Sequence, residues 1–181
     1  AANAGTGGTE CDLDFILNAV PSLGTGTWTQ SAGTGTSLFS NPNDPNATVL
    51  VDAYGSYTLT WTEDNSGCTS SDNIVVTFYQ QPSSNAGNDA TACGTLSTNL
   101  SAIASIGTGT WAQIGGPGSS SYSNPNASNA TLTVTLYGVY AYTWTEFNGG
   151  CISSDTVIIS FYEQPVAGAG TGTDQCDLDF T

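Results

Sequence analysis

The chain has no lysine, arginine, histidine or methionine among its 181 residues, against 15 aspartates and glutamates. Charged residues make up 8% of it, where an ordinary soluble domain carries about 25%. The net charge of −15 therefore comes from missing cations, not from an excess of acid. Without a cation no side chain can neutralise a phosphate, which excludes nucleic acid and attraction to an anionic membrane surface. A Ser-His or Cys-His nucleophile pair, a Schiff-base lysine, a P-loop and an arginine clamp each lack an essential member. No histidine is present to ligate zinc, and no lysine to form an isopeptide cross-link. No apolar run approaches the roughly 20 residues of a membrane span, so no direct membrane contact is expected. The polarity is supplied instead by 27 threonines and 21 serines. An uncharged hydroxyl surface on a strand-rich chain points to an extracellular setting, and the missing catalytic groups point away from an enzyme.

What is present repeats. Gly24-Thr25-Gly26-Thr27-Trp28 recurs as Gly107-Thr108-Gly109-Thr110-Trp111, and Ser40-Asn41-Pro42-Asn43 as Ser123-Asn124-Pro125-Asn126. Thr60-Trp61-Thr62-Glu63 recurs as Thr143-Trp144-Thr145-Glu146, and Phe78-Tyr79 with Gln81-Pro82 as Phe161-Tyr162 with Gln164-Pro165. Each offset is 83 residues, and Cys176-Asp177-Leu178-Asp179-Phe180 copies Cys11-Asp12-Leu13-Asp14-Phe15. The expected organisation is one repeat over 1–82, a second over 83–165 and the opening of a third over 166–181. The chain is expected to be a segment of a longer array, with any export signal or anchor outside it.

The apolar spacing within a repeat is two. Tyr57, Leu59 and Trp61 alternate with Ser56, Thr58 and Thr60, and Ile74, Val76 and Phe78 with Val75 and Thr77. Further inward pairs are Leu17 with Ala19 and Val49 with Val51, matched by Leu100 with Ala102 and Leu132 with Val134. Asn-Pro-Asn and Gly-rich turns fill the gaps, and no segment shows helical spacing. About seven short strands per repeat predict an all-β chain of immunoglobulin-like or PKD-like sandwiches arranged end to end. Trp28 and Trp111 then take the place of the buried strand-C tryptophan, and the aromatic stripe is core rather than a sugar-stacking platform. Tyr54 and Tyr137 are expected to be structural residues at a corner.

The five cysteines fit the period as two per repeat plus the first of the next. Two pairings respect it: Cys11–Cys68 with Cys93–Cys151 inside the repeats, or Cys68–Cys93 with Cys151–Cys176 across them. If the first strand begins beside the connection that carries Cys68, then Cys11 lies near Cys68, and Cys93 lies roughly 30 Å away beyond the last strand. A disulfide requires Cα atoms within about 7 Å, so the within-repeat pairing is expected, leaving Cys176 to pair outside the segment. The CxxC spacing of redox or metal thiols is absent.

Asp12 and Asp14, echoed by Asp177 and Asp179, share a strand face, but the second repeat has Gly94 and Leu96 where such a pair would recur. That weakens a glycosidase-like carboxylate pair. Calcium is the one cofactor the sequence admits, with oxygen ligands from Asp12, Asp14, Asp177 and Asp179, joined by Asp89 or Asp174 near a junction. Neither EF-hand nor RTX spacing accompanies them. Asp155-Thr156-Val157 looks like an O-glycosylation acceptor of Bacteroidota at Thr156, and Asn46, Asn99, Asn126 and Asn129 fit the N-glycosylation pattern.

The ordered run Gly-Thr-Gly-Thr-Trp, Ser-Asn-Pro-Asn, Tyr-Gly-x-Tyr, Thr-Trp-Thr-Glu, Gly67-Cys68-Thr69-Ser70-Ser71-Asp72 and Phe78-Tyr79-Gln80-Gln81-Pro82 resembles the PKD/immunoglobulin-like tandem repeats of giant cell-surface adhesins in Bacteroidota. Those include gliding-motility adhesins of the SprB type. The resemblance implies a secreted filament attached to the outer membrane of a Gram-negative cell, with the repeats as spacers and no catalytic residues to carry over. The function expected is a structural stalk whose partners are adjacent repeats of the same chain, with surface polysaccharide or neighbouring filaments as further partners. The alternatives are a carbohydrate-binding or calcium-dependent adhesive module, and a self-assembling filament subunit.

Overall fold

The computed structural model describes residues 1–170 and, among them, only strands and turns. The first seven strands are β1 (Gly8–Glu10), β2 (Asp14–Ile16), β3 (Thr25–Gly33), β4 (Ser37–Phe39), β5 (Thr48–Val51), β6 (Gly55–Asn65) and β7 (Cys68–Phe78). They form one sheet in the order β1-β7-β6-β3 and a second in the order β2-β5-β4. The next seven are β8 (Ala90–Cys93), β9 (Ser97–Asn99), β10 (Thr108–Gly115), β11 (Ser120–Tyr122), β12 (Thr131–Val134), β13 (Gly138–Asn148) and β14 (Cys151–Tyr162). Their sheets, β8-β14-β13-β10 and β9-β12-β11, repeat the same topology. Each half is an immunoglobulin-like β-sandwich with its own core.

Alternation builds those cores. Tyr57, Leu59, Trp61 and Glu63 all point inward from β6, as Tyr140, Tyr142, Trp144 and Glu146 do from β13. All four tryptophans are buried, and Trp28 packs on Trp61 with ring centroids 5.2 Å apart, a contact reproduced by Trp111 and Trp144 at 5.2 Å. Glycine at the start of the tryptophan strand makes this possible, because a Cβ on Gly26 would lie 1.8 Å from the Trp61 ring. The Asn-Pro-Asn turn secures the same strand: Asn43 Nδ2 donates to Gly26 O and Thr27 Oγ1, both at 2.9 Å. Asn126 does the same for Gly109 and Thr110. The corner tyrosines are Tyr57 and Tyr140, whose hydroxyls donate to Ala53 O and Leu136 O at 2.8 Å. Tyr54 and Tyr137, expected there, are partly exposed.

The first strand is the feature the sequence pattern did not reveal. Residues 1–10 run along the last strand of the sandwich. Ala2 N–H donates to Ser70 Oγ at 3.0 Å and Ala4 N–H to Asp72 Oδ2 at 2.9 Å. β1 then pairs parallel with β7, Glu10 opposite Phe78. Ala86 N–H to Asp155 Oδ2 at 2.8 Å and the parallel β8–β14 pair repeat the arrangement, with Cys93 opposite Tyr162. The first strand therefore begins near the Cys68 turn and carries Cys11 to the opposite end of the sandwich.

One core position differs between the halves in an instructive way. Leu59 in the first core is Tyr142 in the second, and Tyr142 Oη shares a hydrogen bond with Ser120 Oγ at 2.7 Å. Ser37, the counterpart of Ser120, keeps a buried hydroxyl with no partner. An unpaired buried hydroxyl is a cost, whereas breaking one side of a buried pair leaves the other orphaned. Ser120→Ala is expected to destabilise its sandwich by roughly 1–3 kcal/mol, while Ser37→Ala is neutral or stabilising. Denaturant unfolding of the two variants measures this, and equal losses at both sites contradict it.

Candidate functional site

The two sandwiches meet at a joint built from the base of the first and a hairpin tip of the second. β13 and β14 close around Gly149-Gly150, with Asn148 paired to Cys151. Both glycines have positive φ, 61° and 111°, the conformation a two-residue hairpin turn demands. The tip also needs glycine for room, since a Cβ on Gly149 would lie 2.1 Å from the Tyr79 ring. Around that seat Asn148 Nδ2 donates to Gln80 O at 2.8 Å and Gln81 Nε2 to Ile152 O at 2.7 Å. Ser83 N–H donates to Ser105 Oγ at 2.9 Å, and Ser105 gives both its hydroxyl and its N–H to the carboxylate of Glu146, each at 2.7 Å. Glu146 is 1% exposed, so a buried carboxylate organises the loop that receives the connecting segment.

A disulfide closes the joint. Cys11, at the end of β1, is bonded to Cys151, at the start of β14, with Cα atoms 5.5 Å apart. The bond spans 140 positions and joins the first cysteine of one repeat to the second cysteine of the next. This corrects the within-repeat pairing of Cys11 with Cys68 and of Cys93 with Cys151. Cys68 and Cys93 are exposed free thiols. The physical reason is the parallel first strand. Cys68 sits at the hairpin tip opposite Asn65, and Cys11 follows Glu10 at the Phe78 end of β7. Ten residues of strand, roughly 33 Å, separate the two ends. Cys176 lies outside the described residues, as do Asp174, Asp177, Asp179 and most of the third-repeat opening.

The remaining sequence candidates do not converge. Asp12 and Asp14 are exposed, and the only contact between them is Asp14 N–H to Asp12 Oδ1 at 3.4 Å. Asp89 accepts the Ile158 N–H at 2.8 Å. Among the described residues no group of three or more acidic or cysteine side chains is placed to hold a metal ion. Thr156 is exposed on β14. A shallow groove over the Trp61 edge, lined by Pro21, Asn43 and Pro45, recurs over Trp144, and neither groove contains a carboxylate.

Glu63 and Glu146 were not singled out by sequence, although their place two residues after Trp61 and Trp144 puts them on the inward face. Glu63 accepts the Ser22 hydroxyl, the Ser22 N–H at 2.7 Å and Trp61 Nε1 at 3.3 Å. The Ser22 hydroxyl and then its N–H hold the Glu63 carboxyl below its ordinary value of 4.5, with desolvation opposing them. Thr36 acts in the same direction on Asp52 through its hydroxyl and N–H.

No family model and no curated protein matches the chain. Solved structures do. The chain is similar to extracellular domains 3–5 of Drosophila OTK at 9% identity and a TM-score of 0.54, over 88% of this chain and 59% of that one. It is similar to immunoglobulin domains 1–4 of Sidekick-1 at 10% identity and a TM-score of 0.50, over 87% of this chain and 47% of that one. It also aligns with the PKD domain of the KIAA 1837 protein at 26% identity and a TM-score of 0.42, over 48% of this chain and 92% of that one. The chain thus spans about three fifths and about half of the first two fragments. At these identities the likeness is one of fold.

The depressed Glu63 pKa carries a sign. Its contribution is fully present above the unfolded value of 4.5 and disappears as pH falls through the lower folded value. Glu63→Gln is expected to be less stable than the parent at pH 7, with the gap narrowing below pH of about 4.5. Urea unfolding between neutral and acid pH tests this, and a gap that does not change with pH refutes it.

Proposed function

We propose that this chain is a spacer segment of a long extracellular filament, in which immunoglobulin-like repeats are strung end to end and locked across their joint. The observation that carries the reading is the Cys11–Cys151 bond between successive sandwiches. A structural disulfide belongs to an oxidising compartment, which agrees with a surface free of cations. Each sandwich adds roughly 35–40 Å along the axis, judged from strands of 11 and 12 residues. The finer attribution, to cell-surface adhesins of the gliding type in Bacteroidota, is supported by the ordered motif resemblance. In such a filament the chain does no chemistry, and its immediate partners are its own neighbouring repeats.

The alternatives receive less support. Sugar stacking by the tryptophans is unavailable because all four are buried. Lateral assembly through a sheet face would draw on the exposed Ile16, Leu38 and Leu50 of the first sandwich. Their counterparts in the second, Asn99, Ser121 and Thr133, are polar, so that face is not a property of every repeat.

The bond also determines how the chain bears load. Tension applied at residues 1 and 181 passes from Cys11 directly to Cys151, and the residues between them lie outside the loaded path. Pulling the oxidised chain in an optical trap is expected to release none of the contour of that stretch. Reduction should add up to about 460–500 Å of releasable contour, from 140 positions at 3.3–3.6 Å each. Full release of both sandwiches without reduction would sink the spacer reading in this locked form.

A further inference from the structure

The base of the second sandwich repeats the base of the first. Cys93 ends the parallel β8–β14 pair at the place where Cys11 follows β1–β7. Tyr162 and Gln164 stand 83 residues after Tyr79 and Gln81, which build the joint. Tyr79 is partly covered by the Gly149 turn and Cys151 is 2% exposed, whereas Tyr162 is 53% exposed and Cys93 is an exposed free thiol. The thiol, the ring and the amide are thus all in place on a face that lacks the hairpin tip its counterpart holds.

We infer that Cys93 is half of a second inter-repeat disulfide, formed with the hairpin-tip cysteine of a following repeat of the Asn148-Gly149-Gly150-Cys151 type. The inference rests on the spacer reading and extends it from one joint to the next. It is drawn for Cys93 and not for Cys68. The Cys68 tip carries Ser66, with φ of 55°, where Gly149 admits the Tyr79 ring, and a Cβ at the Gly149 position meets that ring at 2.1 Å. The bond forms by thiol–disulfide exchange. The Cys93 thiolate attacks a small disulfide such as glutathione disulfide and releases one glutathione thiol. The tip cysteine then displaces the second. The two protein thiols are oxidised by two electrons, one glutathione disulfide is reduced to two thiols, and both protons end on glutathione.

The consequence is mechanical. From the tip cysteine of one repeat to the base cysteine of the next is 25 residues, as from Cys68 to Cys93. Fully extended, 25 residues reach about 83–90 Å. Two folded sandwiches already span roughly 70–80 Å. An array bridged at every joint is therefore close to taut before any repeat unfolds, whereas an unbridged 83-residue repeat extends to roughly 270–300 Å.

The test is a chain with its second repeat duplicated, residues 1–165 followed by residues 83–181, so that Pro165 precedes Ser83 as Pro82 does. It has seven cysteines, the five of the chain plus a second Cys93 and a second Cys151. After oxidation with glutathione disulfide, peptide mapping without reduction is expected to show Cys11 bonded to the first Cys151, and the first Cys93 bonded to the second Cys151. Cys93→Ser in the first copy should remove only the second bond. The first Cys93 found as a free thiol, or the second Cys151 bonded to the Cys93 of its own repeat, while the Cys11 bond is intact overturns this inference and leaves the spacer reading standing. Loss of the Cys11–Cys151 bond itself overturns both.

Discussion

Parallel pairing of the first strand with the last is the interaction from which the rest follows. Once β1 lies beside β7 and β8 beside β14, the two cysteines of a repeat are carried to opposite ends of the sandwich. Roughly 33 Å of strand then separates them, several times the Cα distance a disulfide spans. A bond inside the repeat is geometrically closed off, and Cys11 meets its partner on the tip of the next sandwich. The side-chain contacts that hold the first strand are specific. Asp72 and Asp155 each accept an N–H from it, at Ala4 and Ala86. Together with the parallel ladders, these contacts set the path of the first strand and so which sulfur atom Cys11 meets.

The lack of cations shapes everything polar. No side chain can ion-pair, so carboxylates that leave water must be met by neutral donors. Glu63 and Glu146 take hydroxyl and backbone N–H donors from Ser22 and Ser105. Asp52, although it stays exposed, takes the same two kinds of donor from Thr36. Hydrogen bonds to an ionised acceptor are stronger than neutral ones, and a fixed N–H keeps its place when salt changes, unlike a surface ion pair. Ser22, Ser105 and Thr36 thus serve as counter-groups where other proteins use cations.

Most of the sandwich was legible in the sequence because alternation and turn chemistry are local. Tyr57, Leu59 and Trp61 point inward as their spacing dictates, and Trp28 takes the buried place its motif implies. The disulfide was not legible, because it depends on a strand with almost no apolar signature. Residues 1–10 contribute only Ala4 to the buried core, and strands so poor in side chains cannot be read by periodicity. The pattern therefore suggested Leu17 and Ala19 as the early strand. Those residues do extend the β2–β5 ladder, through Leu17 N–H to Ala47 O and Ala19 N–H to Pro45 O. They lie after Cys11, however, and say nothing of the strand that precedes it, at whose far end Cys11 stands. The acidic pair at Glu63 and Glu146 was legible in principle, since it continues the inward stripe by one more step.

A covalent joint is what this composition requires. The non-covalent contacts across it are uncharged: a tyrosine ring on a glycine turn, side-chain amides on backbone carbonyls, and links from Ser83 and Ser84 of the connecting segment to Ser105 and Ser153. Individually such hydrogen bonds stabilise by about 1 kcal/mol, and no complementary charge is available to add to them. Successive sandwiches of a chain with net charge −15 instead repel one another, the more so as salt falls. A short connection keeps tip and base at an effective concentration of order millimolar, enough for encounter but not for rigidity against pull. The disulfide converts that encounter into a fixed joint without a cationic side chain, which this sequence lacks.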